Sequence, residues 1–253
     1  FEFDERDHDS GTKDFLGERG NFDGADIIRI ICEQEATARF IARHMYSFFV
    51  EDESPVPSWD HTSPKNPEAM DILVKAYFDS DHSISEMLTT LFNSDFFKSH
   101  SVRYKRMKSP AELVAGVLKL TGQLDRPRRE IMDHALKMLF MGQHLHNPPS
   151  VEGWHEGDEW IETGTILERV NFASEQMGNF SYPGVSQMID SALISQDNGD
   201  TLPQRCLDAL GYFEVSENVM DVLRSLNGEE NESSDDARQL IRIIAASPEF
   251  QKC

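Results

Sequence analysis

Apolar residues along this chain return mostly at every third or fourth position, the interval that gathers them on one side of an α-helix. From Asp23, a side chain suited to capping a helix N-terminus, Ile27, Ile30 and Ile31 form one stripe. Ala38, Ile41, Ala42, Met45, Phe48 and Phe49 form a second, so two successive helices with buried faces are predicted. The polar, proline-bearing stretch 51–67 stops them. Asn66-Pro67-Glu68 then restarts a helix through Phe78, with Pro in the first turn, where its missing N–H is harmless. A further helical unit is expected from Ser83 to about Phe97, with Met87, Leu88, Leu91 and Phe92 on one side.

Ser109-Pro110-Ala111-Glu112 supplies a capping box for a helix whose apolar face is Leu113, Val114, Val117 and Leu120 and which stops at Gly122. Another helix is expected from Pro127 to Met141, ending at Gly142. Residues 143–161 show no period, and their prolines, glycines and two tryptophans, Trp154 and Trp160, predict an ordered loop held by packing. Thr163 opens a helix through Ile166, Leu167, Val170 and Phe172 to about Met177. Past Gly178 the composition becomes more polar, and shorter helices are expected near Val185 to Ile194, Leu202 to Leu210 and Val215 to Leu226, with a last one from about Asp235 to Ala246.

Only the N-terminal stretch reads as β: Phe1 to Asp7 alternates briefly, and Gly11, Gly17, Gly20 and Gly24 punctuate the residues after it. A small hairpin or extended segment is expected there, pairing with a strand upstream, because a lone hairpin is marginal in water. The fold class is therefore mainly α: an irregular multi-helix bundle with that N-terminal element and a C-terminal helical appendage. Residues 1–180 are expected to be the C-terminal part of a larger helical domain, and 184–253 an appendage packed on it.

Composition is ordinary for a folded protein at 39% hydrophobic and 9% aromatic, so no disulfide or metal is needed to close a core and no cofactor is expected. Charge changes the picture more. Asp and Glu number 45 against 24 Lys and Arg, a net −21, which repels nucleic acid phosphates and anionic lipid and favours solubility in salty media. Cys32, Cys206 and Cys253 share no metal-ligand spacing. Cys32 lies in an apolar helical run and reads as a buried thiol; a Cys32–Cys206 bridge would require the two to meet within tight geometric limits. Apolar runs are broken by Arg29, Arg43 and Lys75 before they reach the ~20 residues that span a bilayer.

Four constellations carry candidate chemistry. His8 and Asp9 with Lys13 suit an imidazole oriented by a carboxylate beside an anion-holding ammonium, or simple turn chemistry in which Asp9 caps its own backbone. His144, His146, His155, Glu156 and Asp158 are ligand types that zinc prefers, without a recognised spacing, and no metal site is expected. Trp154 and Trp160 among acidic residues fit sugar stacking, or an indole anchor for the loop. Arg103, Lys105, Arg106 and Lys108 form the one basic run, expected to pair with neighbouring carboxylates.

Several stretches together resemble one bacterial family, the domain of unknown function 1800 family. They are His8-Asp9-Ser10-Gly11-Thr12-Lys13 with Phe15-Leu16-Gly17 and Gly20-Asn21-Phe22-Asp23-Gly24, then Ala36-Thr37-Ala38-Arg39-Phe40-Ile41-Ala42-Arg43, then Lys108-Ser109-Pro110 with Glu112-Leu113. The last group joins Met141-Gly142-Gln143 to Pro148-Pro149, Val151, Gly153-Trp154, Trp160-Ile161, Arg169 and Asn171-Phe172-Ala173. The resemblance covers roughly Phe1 to Gly178. It implies a helical fold in a longer exported, periplasmic or extracellular protein, encoded beside a partner that resembles sulfatases and alkaline phosphatases, and no established activity. Where the family often has a Pro-Gly-Gly type turn, this chain reads His155-Glu156-Gly157.

The function to which these readings point is a non-catalytic, exported helical accessory protein that binds a protein partner, without nucleic acid. The alternative is a metal-assisted hydrolase or glycan-binding protein with a site between the His8 segment and the Trp154 loop. Candidate ligand-binding residues are His8, Asp9, Lys13, Lys108, Trp154, Trp160 and Arg169.

Overall fold

Side chains that satisfy the free N–H groups of a first helical turn set many of the helix starts among the described residues. The computed structural model describes residues 3–126, 129–194, 199–211, 213–226 and 232–253, and the chain forms two compact units, Phe1–Arg103 and Tyr104–Cys253.

In the first unit, β1 (Lys13–Phe15) and β2 (Glu18–Gly20) form an antiparallel hairpin with Lys13 opposite Gly20. It lies after the Phe1 to Asp7 alternation, because the turn residues Leu16 and Gly17, with φ of 46° and 89°, provide the two left-handed positions that a tight hairpin needs. Among the described residues this sheet has two strands and pairs with no other. Asp23 caps α1 (Gly24–Cys32), accepting from the Ala25 and Asp26 amides at 2.8 and 3.0 Å, while Asp26 accepts from the Asp23 amide at 3.1 Å. After α2 (Glu35–Phe49), Asn66 caps α3 (Pro67–Asp79) through the Ala69 amide at 3.0 Å. Ser83 caps α4 (Ile84–Asn93); Ser94 breaks the expected single helix and caps a short α5 (Asp95–Lys98).

Ala38 and Ala42 let α2 approach α3 closely, and Tyr46, Met70, Leu73, Tyr77, Met87 and Leu91 complete this core. The inward row of α2 is thus not the one its largest side chains predict: Phe48 is 66% exposed and Phe49 also faces outward, packing edge-on to Phe92 at 5.1 Å. At close helix separation there is room between α2 and α3 for alanine methyls and the Tyr46 ring but not for a second ring. Cys32, at the end of α1, is half-buried, not fully buried as its apolar run predicts.

The second unit begins with α6 (Pro110–Leu120), which carries the expected capping box: Ser109 Oγ accepts from the Glu112 amide and Glu112 from the Ser109 amide. Next comes α7 (Glu130–Phe140); Pro127, its predicted start, lies outside the described residues. α6 and α7 stop before Gly122 and Gly142, both in positive φ. Residues 143–161 contain no α-helix, only a short 3-10 turn at Gly157–Trp160 that sinks Trp160 into the interior. The chain continues through α8 (Thr163–Met177), α9 (Pro183–Ile194), α10 (Leu202–Ala209), α11 (Glu217–Leu226) and α12 (Ser234–Ala246).

One core joins Leu113 and Val117 of α6, Phe172 and Met177 of α8, Ile189 of α9, and Leu240, Ile241 and Ile244 of α12. The composition shift near Gly178 falls inside this core. Gly184 permits the junction of α6 and α9: its amide donates to the Thr121 carbonyl at 3.1 Å, and a Cβ there would sit 2.7 Å from that carbonyl carbon. The inward row of α8 is Arg169, Phe172, Ala173, Gln176 and Met177, at helical spacing, which leaves Leu167 on the outer side, 60% exposed against expectation. The chain's last residues pair with 106–108, with Cys253 N to Arg106 O at 2.8 Å and Lys108 N to Gln251 O at 3.0 Å. Among the described residues no helix is long and apolar enough to cross a membrane.

Candidate functional site

His8, Asp9 and Lys13 come together in the first unit as a closed knot. The Asp9 carboxylate accepts from the Gly11 amide at 2.8 Å, so it caps its own backbone and does not orient the imidazole. His8 Nε2 and Lys13 Nζ both meet Asn21 Oδ1, at 3.1 and 3.2 Å, and Lys13 also donates to the carbonyls of Asp9 and Gly11. All three side chains thus have protein partners.

Lys108, Trp154, Trp160 and Arg169 belong to the second unit. Arg169 is fully buried; its Nη2 donates to Lys108 O at 2.7 Å and its Nε to Gln251 Oε1 at 3.2 Å, while Nη1 has no hydrogen-bond partner among the described residues. Burial pushes the guanidinium down to about 10, far enough above neutrality to leave it charged. Lys108 donates to Phe250 O at 2.8 Å and lies over the Phe250 ring at 4.8 Å, and burial lowers its pKa as well. These two cations hold the chain's last residues against 106–108: they form a latch. Arg106 of the same basic run pairs with Glu112, which lowers that carboxyl against the upward pull of its burial.

Trp160 is buried beside Gly142 and Thr165, and Trp154 donates from Nε1 to His144 O at 3.1 Å, so both indoles anchor the loop. His144 Nδ1 meets the Asn147 amide at 3.0 Å and His155 faces Glu159 at 3.6 Å. Among the described residues, no group of three or more His, Cys, Asp or Glu side chains is arranged to hold a metal ion.

Three other features have the open geometry that those residues lack. In the first unit, Ala36, Arg39 and Phe40 of α2 face Trp59 and the turn 60–64 across a cavity of about 410 Å³. Its floor is closed: Arg43, 4.7 Å over the Trp59 ring, donates to Glu53 at 2.8 Å and to Thr62 O at 2.8 Å. In the second unit, α8 and α12 border a groove of about 820 Å³ lined by Lys137, Glu168, Asn171, Glu175, Phe180 and Arg242, among others. The third is the outer side of α7. Its inner side is anchored by His134, edge-on to Phe172 at 5.6 Å, and by Met138, whereas Met132 is 76%, Leu136 53% and Phe140 59% exposed.

No recognised motif or spacing marks these places in the sequence. Local signals for them exist nonetheless: Arg43 interrupts the apolar stripe of α2, and Arg238 and Arg242 stand four apart in an otherwise acidic stretch.

A family model described as protein of unknown function (DUF1800) matches residues 1–252 and so extends through 179–252, beyond the motifs that carry the resemblance. Comparison with curated proteins gives no match, nor does comparison with solved structures.

Proposed function

We propose, from the premise that this chain belongs to the DUF1800 family over residues 1–252, that it is a non-catalytic accessory protein that binds a protein partner through the outer face of α7. The observation that carries this reading is the row Met132, Leu136, Leu139 and Phe140, spaced by four, three and one along a helix and all exposed. Burying one such side chain is worth about 1.5–3 kcal/mol. A solvated row of four on a helix fixed by its opposite side is the arrangement in which helix faces dock into grooves.

The net charge of −21 favours a partner with a basic rim around the apolar contact, since opposite potentials speed encounter and suppress wrong pairings. The family resemblance supports a sulfatase-like or alkaline-phosphatase-like partner and an exported, periplasmic or extracellular location.

The test is a photo-crosslinking residue in place of Leu136 in the native host, followed by titration of the purified captured protein against wild type and Leu136→Glu. Capture of a sulfatase-like protein that binds the wild type and at least tenfold more weakly the variant is expected. No crosslink, equal binding by the variant, or a self-crosslink with a dimer by sedimentation overturns the proposal.

A further inference from the structure

We propose that the groove between α8 and α12 binds an acidic saccharide, with Arg242 receiving the sugar carboxylate. The proposal is independent of the docking face on α7. Its first support is an uncompensated charge. Of the three cations lining the groove, Lys137 lies 3.7 Å from Glu168 and Arg238 is paired with Asp235 at 2.9 Å, while Arg242 has no carboxylate or hydrogen-bond partner among the described residues.

The second support is the path of the exposed Arg242 side chain along α8. Its aliphatic stem lies against Gly178, where a Cβ would come within 2.8 Å of Cγ and 2.9 Å of Nε. Gly178 ends α8 with φ −93° and ψ 0°, a conformation open to any residue, so the backbone does not require glycine there. What the missing methyl provides is the track along which the Arg242 side chain runs. A stem guided along one side leaves the guanidinium fewer directions to take, so it loses less freedom on forming its two parallel bonds to a carboxylate.

The rest of the lining decides the class of ligand. Asn171 and Asn179 offer amides, Ser174 a hydroxyl, and Glu168 and Glu175 carboxylates that accept from sugar hydroxyls. Phe180 carries the Arg238 guanidinium at 4.5 Å and remains partly exposed, the single large apolar surface in the groove. A peptide would need apolar side-chain pockets that this lining lacks, and a bare inorganic anion would leave the amides and carboxylates unused. The volume of about 820 Å³ is in the range of small-ligand sites. The protein's overall negative charge does not prevent this, because fields beyond about 8 Å are screened at physiological salt.

The experiment is calorimetric titration of the whole chain with digalacturonic acid, the neutral disaccharide galactobiose and inorganic phosphate, using wild type, Arg242→Gln and Gly178→Ala. Wild type is expected to bind digalacturonic acid at least tenfold more tightly than galactobiose or phosphate. Both variants are expected to lose at least tenfold, with unfolding temperatures unchanged. Gly178→Ala keeps the charge and only swings the arginine aside, so its loss distinguishes a positioned guanidinium from general attraction. No saturable binding by wild type, equal binding of phosphate, or full affinity in Arg242→Gln overturns the proposal.

Discussion

Arg43 in the first unit and Arg169 in the second both lie inside helical cores, yet they are accommodated in different ways. Arg43 meets Glu53 through Nε and Nη2 at 3.1 and 2.8 Å, adds the Thr62 carbonyl, and has the Trp59 ring across its face. Arg169 has only carbonyl and amide oxygens, with one Nη left without a partner among the described residues. A buried charge with a buried counter-ion depends on it completely; a buried charge with none already carries its desolvation cost, and its removal strands nothing charged. Both units rest on apolar packing; Arg43 adds a paired buried charge to the first, and Arg169 a cationic latch at the edge of the second.

The largest expected effect comes from that contrast. Glu53→Ala leaves Arg43 buried without its carboxylate and also takes the acceptor from the Lys65 amide, at 2.8 Å, so it should cost about 3–5 kcal/mol. Denaturant unfolding read by Trp59 fluorescence, with Trp154→Phe and Trp160→Phe in the background, measures it. A loss below about 1 kcal/mol would show that the pair is not what holds residues 51–66 in place. Arg169→Met should cost less, about 2 kcal/mol or under, because lost hydrogen bonds are offset by relief of an unpaired charge. A cost equal to that of Glu53→Ala would reveal a counter-ion at Nη1 and erase the distinction between the two arginines.

Alkaline pH sharpens the comparison next, since burial raises the Tyr46 and Tyr77 phenols in the first unit and the Cys206 thiol in the second. Burial, then the charge of Glu51, pushes the Tyr46 phenol up to about 12; burial pushes the Cys206 thiol up to about 12, with Arg205 opposing. In both cases the folded state holds the proton more tightly than the unfolded chain. Each contribution is therefore fully present below the ordinary pKa and is lost as pH rises toward 12. The ordinary values are 9.0 for the thiol and 10.0 for the phenol, so the second unit should begin to lose stability about one pH unit before the first. Thiol labelling between about pH 8.5 and 11 tests this: exposed Cys253 reacts at once, and Cys206 only as the second unit opens. Prompt labelling of Cys206 at about pH 8.5 would refute it.

Helix ends were legible from sequence because their chemistry is local. Asp23, Asn66, Ser83 and Ser109 accept from amides two or three residues on, and Gly122 and Gly142 end helices by their own backbone conformation. Helix orientation was less legible. Phe48 and Leu167 carry ample apolar surface, but α2 turns inward on Ala38 and Ala42 and α8 on Arg169 and Phe172, and only the neighbouring helices decide that. The candidate residues fared similarly: Lys108 and Arg169 do meet, as a latch on residues 250–251, and His8, Asp9 and Lys13 as a turn. The groove of Lys137, Asn171 and Arg242 is assembled from three helices far apart in sequence, which no spacing rule brings together.

The smallest expected effect is on stability at the outer face of α7. Leu136 is 53% exposed and Met138, two residues on, packs on the core, so the two positions divide the helix into a solvated and a structural side. Leu136→Glu gives up little burial and should change unfolding free energy by no more than about 0.5 kcal/mol, whereas Met138→Ala should cost about 2 kcal/mol or more by leaving a cavity. If Leu136→Glu destabilises the second unit as much as Met138→Ala, the outer row already supports the chain's own fold and no apolar surface remains there for a partner. If it leaves stability intact while abolishing complex formation, the row of Met132, Leu136, Leu139 and Phe140 is held out to solvent for another protein to cover, and that result separates binding from folding within a single helix.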